Sequence, residues 1–258
     1  MSLPQKNELN GIKIINKSVT VSTNSDAREL ILNGGYGDIL ITADTQTGGR
    51  GRQGKSFISP EGGLYMTLAM QCGYPISDAV SVTSCAAVAV CRAMEEVCGI
   101  VCGIKWVNDI YLGGGKLAGI LVESVNDYSR MISEYLIIGI GINIDHTPEI
   151  VDASYNAASL AEHGADVSRD VLCHAIVHHL LGIRENRFDF GRYIDEYRSR
   201  SVVLGQEITF THASRSFSGK AVGIDSRGGL TVDTPEGQIT LDSGEISIRL
   251  KQNQHDQI

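Results

Sequence analysis

The chain has 258 residues, 42% of them hydrophobic and 20% charged, a globular composition with enough apolar material for a sizeable core and no bias toward disorder. A formal net charge of −8 excludes a general nucleic-acid-binding surface, since phosphate backbones are met by clustered Lys and Arg, so any anion site has to be local. No stretch approaches the roughly 20 apolar residues of a membrane helix, and residues 1–9 lack the apolar segment of a secretory signal, so a cytoplasmic protein without membrane contact is expected.

In chain order, residues 12–15 predict a short strand. The capping-rich run Ser22-Thr23-Asn24-Ser25-Asp26 leads into a helix over about 26–33 that Gly34-Gly35 stops. Residues 38–42 and 63–70 predict two more strands, separated by a glycine-rich loop. The clearest helix is 77–98, where Val80, Ala87, Cys91, Met94 and Val97 recur near helical spacing and Gly99 ends it. Consecutive strands are expected over 103–106, 109–112, 117–123 and 135–144, with Gly113-Gly114-Gly115 as a hairpin turn. Helices are expected over 156–163, 168–183 and 190–200. After residue 203, five short stretches separated by glycine turns have the texture of a small β-barrel. The element order implies an α+β architecture, a mixed β-sheet covered by helices over 1–202 followed by a small domain over 203–250. The six cysteines lack paired CxxC spacing and read as reduced core thiols.

Chemistry concentrates in two places. Gly48-Gly49-Arg50-Gly51-Arg52-Gln53-Gly54-Lys55 gathers three cations, with no acid between Thr45 and Pro60. Its glycines let backbone N–H groups approach an anion, and its arginines can bind carboxylate or phosphate oxygens in pairs. A solvated surface turn is the alternative. Lys105-Trp106-Val107-Asn108-Asp109 loads a strand with a lysine, an amide and a carboxylate, which a buried strand rarely tolerates without partners. Lys105 would stabilise a carboxylate or phosphate and Asp109 a metal or hydroxyl; a salt bridge at a strand end is the plainer reading. Gly113-Gly114-Gly115-Lys116 is not a P-loop, since Ile110 and Leu117 replace its first glycine and its Ser/Thr. Gly139-Ile140-Gly141 lacks the third glycine and the following helix of a dinucleotide fingerprint, and reads as close backbone approach within the sheet. His174 and His178 stand four apart without a third evident ligand and read as surface or packing residues.

Taken together, Ser22-Thr23-Asn24, Gln46, Gly49 to Gly54, Ser59-Pro60, Gly62 to Tyr65, Lys105 to Asp109, Lys116 to Glu123 and Gly139 to Asn143 resemble the catalytic domain of biotin protein ligases. Gly223-Ile224-Asp225 and Gly244-Glu245-Ile246-Ser247 are similar to that family's SH3-like domain. Val107 stands where the family has proline, and Phe57 where it has tryptophan. The resemblance implies a class II aminoacyl-tRNA synthetase-like sheet with a C-terminal SH3-like β-barrel, in a form without an N-terminal DNA-binding domain. It implies that biotin is activated by MgATP as biotinoyl-5'-AMP and passed to a lysine of a biotin carboxyl carrier protein. The cofactors are then ATP, biotin and Mg2+, with no DNA partner, and a homodimer through a sheet edge fits the same reading. Residue by residue, it assigns Ser22, Thr23, Asn24, Gln46, Arg50, Gly51, Arg52 and Lys105 to biotin. Arg52, Lys55, Asn108, Asp109, Lys116 and Asn143 go to the nucleotide, Arg52, Lys105 and Lys116 to catalysis, and Asp109 to the metal. A lipoate or octanoate ligase of the same superfamily and a non-catalytic biotin or adenylate sensor are the rival readings.

Overall fold

A computed structural model of the chain describes residues 8–9, 11–35, 37–149, 156–212, 215–242, 244 and 246–248. Eight strands form one sheet: β1 (Glu8–Leu9), β2 (Ile12–Thr20), β3 (Ile39–Gln46), β4 (Gly63–Pro75), β5 (Gly103–Lys105), β6 (Asp109–Leu112), β7 (Gly115–Asp127) and β8 (Ile132–Asn143). Their spatial order is β1-β2-β3-β4-β8-β7-β6-β5. Among the described strands of this sheet, β2 and β3 pair in parallel and the other neighbours pair antiparallel. The sheet is therefore mixed, as the element order implies, and not doubly wound.

The two-residue period of the strands divides the core between two faces. Ile41, Ala69 and Ile137 point to one side, where helix α1 (Thr23–Leu32) covers them with Ala27 and Ile31. Their neighbours Leu40, Leu68 and Ile138 point to the other, beneath the long helix α2 (Ala79–Cys98) and α3 (Arg169–Glu185). Both faces are covered, which is why the first eight residues of β4 are buried without alternation. Gly99 closes α2 in the left-handed conformation at φ 66°, as its place after the apolar repeat predicts. Gly113 and Gly114, at φ 57° and 84°, form the expected hairpin turn between β6 and β7.

Four expectations change. Helix α1 begins at Thr23 rather than near Asp26, and β2 runs on to Thr20 rather than ending near residue 15. Residues 156–163 are not a helix. Ala157 pairs in parallel with Lys116, Ala158 N–H donates to Lys116 O, and a single 3-10 turn follows at Ala161–His163. The sheet's open backbone groups outbid local helical propensity there. The expected helix over 190–200 divides into a 3-10 turn at Phe190–Arg192 and α4 (Ile194–Arg200).

The remaining strands, β9 (Glu207–His212), β10 (Arg215–Ile224), β11 (Leu230–Thr234), β12 (Gly237–Leu241) and β13 (Ile246–Ile248), form a second, antiparallel sheet in the order β12-β11-β10-β9-β13. Its apolar residues Ile208, Phe210, Ala221 and Val232 join the same core as α2 and α4. Trp106 crosses between the two sheets: its buried Nε1–H donates to Gly228 O at 2.8 Å. Arg198 of α4 donates to Ile224 O at 2.5 Å. Cys85, Cys91, Cys102 and Cys173 are buried and unbridged, and loss of solvation raises all four thiols, Cys102 and Cys173 to about 12. They are core residues, as their sequence setting predicts.

Trp106→Phe keeps an aromatic ring but leaves Gly228 O without its buried donor. Urea unfolding followed by circular dichroism is expected to show a loss of about 1–3 kcal/mol; an unchanged midpoint would mean that this bond does not hold the sheets together.

Candidate functional site

One pocket collects the residues that the sequence singles out. Ser22, Thr23, Asn24, Gln46, Arg50, Gly51, Arg52, Lys55, Lys105, Asn108, Asp109 and Lys116 all line it.

Its floor is the first turn of α1. Ser22, Thr23 and Asn24 are polar yet only 3–4% exposed, and burying such groups requires partners. Helix capping does not supply them: Ser22 holds the cap position with no side-chain cap bond. Thr23 N–H instead donates to Gln46 Oε1 at 2.9 Å, Gln46 Nε2 donates to Ser59 Oγ at 3.0 Å, and Ser59 Oγ donates to Phe57 O at 2.9 Å. Asn24 Nδ2 donates to Glu123 Oε2 at 2.8 Å and to Leu121 O at 3.3 Å, while Thr67 Oγ1 donates to Asn24 Oδ1 at 2.7 Å. This network orients each amide, because carboxylate and carbonyl oxygens accept only.

The glycine-rich loop arches beside this floor. Gly48 N–H donates to Val21 O at 2.9 Å and Phe57 N–H to Gly49 O at 2.8 Å, while Arg50 and Ser56 face each other as a bridge. A Cβ on Gly49 would come within 2.4 Å of Phe57 O, so this position admits only glycine. Gln53, at φ 56°, turns the chain within the 3-10 segment Arg52–Gly54. Arg50 Nη2 donates to Glu123 Oε2 at 2.9 Å, and Arg52 Nη1 to Asn108 Oδ1 at 3.3 Å.

The opposite wall comes from β5 to β8. Lys105 Nζ donates to Tyr111 Oη at 3.4 Å and stands 5.4 Å from that ring's centre. Lys116 Nζ lies 2.8 Å from Asp109 Oδ1 and 5.9 Å from the Phe57 ring. The plainer sequence reading of the second cluster thus holds for Asp109, whose salt bridge also belongs to the pocket. Among the described residues the lining carries five cations, Arg50, Arg52, Lys55, Lys105 and Lys116, against the single carboxylate of Asp109. In a chain of net charge −8, that imbalance suits a ligand bearing several negative charges.

The glycines of Gly139-Ile140-Gly141 serve the site differently from the expected backbone approach. A Cβ on Gly139 would fall 2.0 Å from Asn24 Oδ1, and one on Gly141 2.4 Å from the Phe57 ring. They clear the sheet face for side chains arriving from α1 and the loop. Phe57 fills this clearing, its ring also within 3.1 Å of a Cβ placed on Gly119. Asn143 does not line the pocket. It is 5% exposed, and its Nδ2 donates to Ala158 O at 2.9 Å and Lys116 O at 3.4 Å, so its amide secures the backbone behind Lys116. Sequence reasoning missed Thr67, Tyr111 and Glu123. Thr67 is an isolated polar residue in the apolar run of β4, a signal that marks a buried network but not its partners. Gly244, Ile246 and Ser247 bring the second sheet to the pocket rim; Glu245, named with them in the sequence, lies outside the described residues.

Residues 17–143 match the profile of the "Biotin/lipoate A/B protein ligase family", and residues 203–249 that of the "Biotin protein ligase C terminal domain". The chain is 33% identical over 255 residues to the bifunctional ligase/repressor BirA of Bacillus subtilis, an alignment covering 94% of this chain and 76% of the relative. It is 28% identical over 241 residues to the biotin--[acetyl-CoA-carboxylase] ligase of Paracoccus denitrificans, covering 88% and 97%. Among solved structures, the biotin protein ligase of Aquifex aeolicus in complex with biotin and ATP superimposes with a TM-score of 0.74 at 30% identity, over 92% of this chain and 98% of that one. The Leishmania major enzyme in complex with biotinyl-5-AMP does so with a TM-score of 0.61 at 25% identity, over 89% and 98%.

Gly139→Ala is expected to push Asn24 from its bonds with Thr67 and Glu123, lowering stability by about 1–3 kcal/mol through overpacking. Denaturant titration checks this, and a wild-type midpoint would show that Asn24 is not wedged against that strand.

Proposed function

The chain belongs to the biotin/lipoate A/B protein ligase family, as a biotin protein ligase, and from that premise we propose that it activates biotin with ATP and transfers it to a lysine of a biotin carboxyl carrier protein. The observation that carries this reading is the union, in one pocket, of a buried, hydrogen-bonded polar floor with five cations around one carboxylate. A neutral cyclic urea has N–H donors and a carbonyl acceptor that such a floor can match. Its carboxylate and a triphosphate would then lie among the cations.

In this mechanism the biotin carboxylate attacks the α-phosphorus of ATP, pyrophosphate leaves, and the acceptor lysine amine then attacks the acyl carbon and releases AMP. No protein nucleophile is needed. The obstacle is bringing one anion onto another, which fixed cations lower by positioning and by stabilising charge in the transition state. Ser22, Thr23, Asn24, Gln46 and Gly51 are assigned to the biotin head, Arg50, Arg52 and Lys105 to its carboxylate, and Arg52, Lys55, Asn108, Asp109 and Lys116 to the nucleotide. Asn143, whose amide nitrogen is bonded to Ala158 O and Lys116 O, is assigned to the nucleotide side through its support of Lys116. Among the described residues no cluster of three His, Cys, Asp or Glu side chains could hold a metal unaided. The single carboxylate of Asp109 does fit a Mg2+ ion brought in on ATP, since Mg2+ is commonly held by one or two carboxylates together with substrate phosphates. Bound there, it would offset triphosphate charge.

The same reading takes residues 1–202 as the catalytic domain and 203–250 as a C-terminal SH3-like barrel, supported by the five antiparallel strands and by the domain profile over 203–249. No described helix is long and apolar enough to cross a membrane, and a cytoplasmic site of action is proposed, with no DNA partner. A homodimer through the sheet edge is supported by β2, which among the described residues β1 pairs at Ile12 and Lys13 and whose Val19 is 58% exposed.

Biotin-dependent exchange of pyrophosphate into ATP tests the proposal: exchange that needs lipoate or octanoate, or none at all, would favour the rival enzyme or the sensor. Lys105→Ala is expected to keep the wild-type melting temperature while slowing single-turnover adenylate formation by about a hundredfold. An unchanged rate would remove Lys105 from the chemistry.

A further inference from the structure

Glu123 on β7 is not among the residues lining the pocket, yet it touches two that are. Its Oε2 accepts from Asn24 Nδ2 at 2.8 Å and from Arg50 Nη2 at 2.9 Å, and Arg28 Nη2 stands 3.8 Å from Oε1. Arg28 is itself held, donating to Ser124 O at 3.1 Å. The carboxylate is thus anchored by α1 before it meets the loop, and at 20% side-chain exposure it is better shielded than Arg50 at 44%. A group placed in this way acts on whatever it tethers.

We propose that Glu123 is a positioning residue for the biotin site: a carboxylate fixed by Asn24 and Arg28, to which Arg50 is clasped so that the glycine-rich loop is held against the sheet with its guanidinium in place. The inference rests on the reading of this pocket as a biotin site. The loop over 47–56 contains four glycines, whose conformational freedom would otherwise have to be lost when a ligand binds. A clasp formed in the free protein removes part of that loss beforehand. A guanidinium has five donors, and the bond to Glu123 engages one of them. The clasp and a ligand carboxylate can therefore be held together, and Glu123 need not be displaced.

Glu123→Gln keeps the shape of the side chain and an oxygen for Asn24 while removing the charge that holds Arg50. Four measurements on the full chain decide the matter: melting temperature, amide hydrogen exchange of residues 47–56 without ligand, biotin affinity by calorimetry, and KM for ATP. The expected result is an unchanged melting temperature and several-fold faster exchange confined to the loop. Biotin should bind about fivefold more weakly, the upper scale for a partly exposed ion pair, with KM for ATP unmoved. In an Arg50→Ala background the same substitution should have no further effect on biotin affinity, because two residues acting through one contact are not additive. Unchanged or tighter biotin binding by Glu123→Gln would overturn the proposal, since a carboxylate that merely competed for Arg50 would tighten binding when removed. So would a fully additive loss in the double variant. Should Glu123→Gln melt early, Arg50→Gln probes the same clasp from its exposed side, and loop exchange equal to wild type there would also overturn it. Loop exchange needs no ligand, so a chain that failed to use biotin would refute the functional reading while leaving the clasp tested.

Discussion

The structure turns on Asn24, a polar side chain 4% exposed and pressed onto the bare backbone of Gly139. An amide buried without partners would cost about 1–3 kcal/mol for each unmet group. This one is met on every side, by Thr67 from β4, Leu121 O and Glu123 from β7, and its own place in the first turn of α1. Those bonds bring the N-terminus of α1 down onto the middle of the sheet. Because Thr23 lies one residue earlier on the same turn, Gln46 at the end of β3 is drawn in as well. The helix, three strands and the start of the glycine-rich loop thus share a single junction, and the pocket is the space left above it.

Charge is arranged around that junction with similar economy. Five cations close together repel one another, and in an acidic chain they would attract stray carboxylates. Two carboxylates are placed where they limit this: Asp109 against Lys116, and Glu123 behind Arg50. Asp109 lines the pocket and Glu123 does not, so the lining keeps five cations against one carboxylate and its net charge stays positive. Aromatic faces do the remaining work, with Tyr111 beneath Lys105 and Phe57 beneath Lys116. Phe57 itself packs against Gly119 and Gly141, where a Cβ would meet its ring. The second sheet enters the same unit through Trp106, next to Lys105, so that its hydrogen bond to Gly228 O couples the cationic wall to the C-terminal strands.

Much of this was legible in the sequence, for reasons that are local. Alternation and apolar runs specify β4 and β8, the helical repeat and Gly99 specify α2, and Gly113-Gly114 specifies a turn, because each pattern reports burial or backbone conformation at neighbouring residues. The motifs that carry the resemblance contain nearly all of the pocket's polar lining, since a glycine-rich loop and a charged strand end keep their chemistry in consecutive residues. The sequence by itself therefore determined the mixed sheet, the small β-domain after it, the two clusters and the family.

The tertiary structure decided what depends on partners far apart in the chain. The start of α1 at Thr23 could not be read from capping residues, because what stabilises that turn is Gln46 and Thr67 rather than a local cap. Residues 156–160 pair with the sheet instead of coiling, because the open backbone of Lys116 is a stronger partner than a helix's own. Asn143 is a nucleotide candidate by motif, and only the fold shows that its buried amide nitrogen bonds the backbone of Ala158. Glu123 was visible only as the last residue of an apolar strand motif. Its bond to Arg50, 73 residues away, is a relation between two positions, and no periodicity or composition along one chain encodes a distance between residues that only folding brings together.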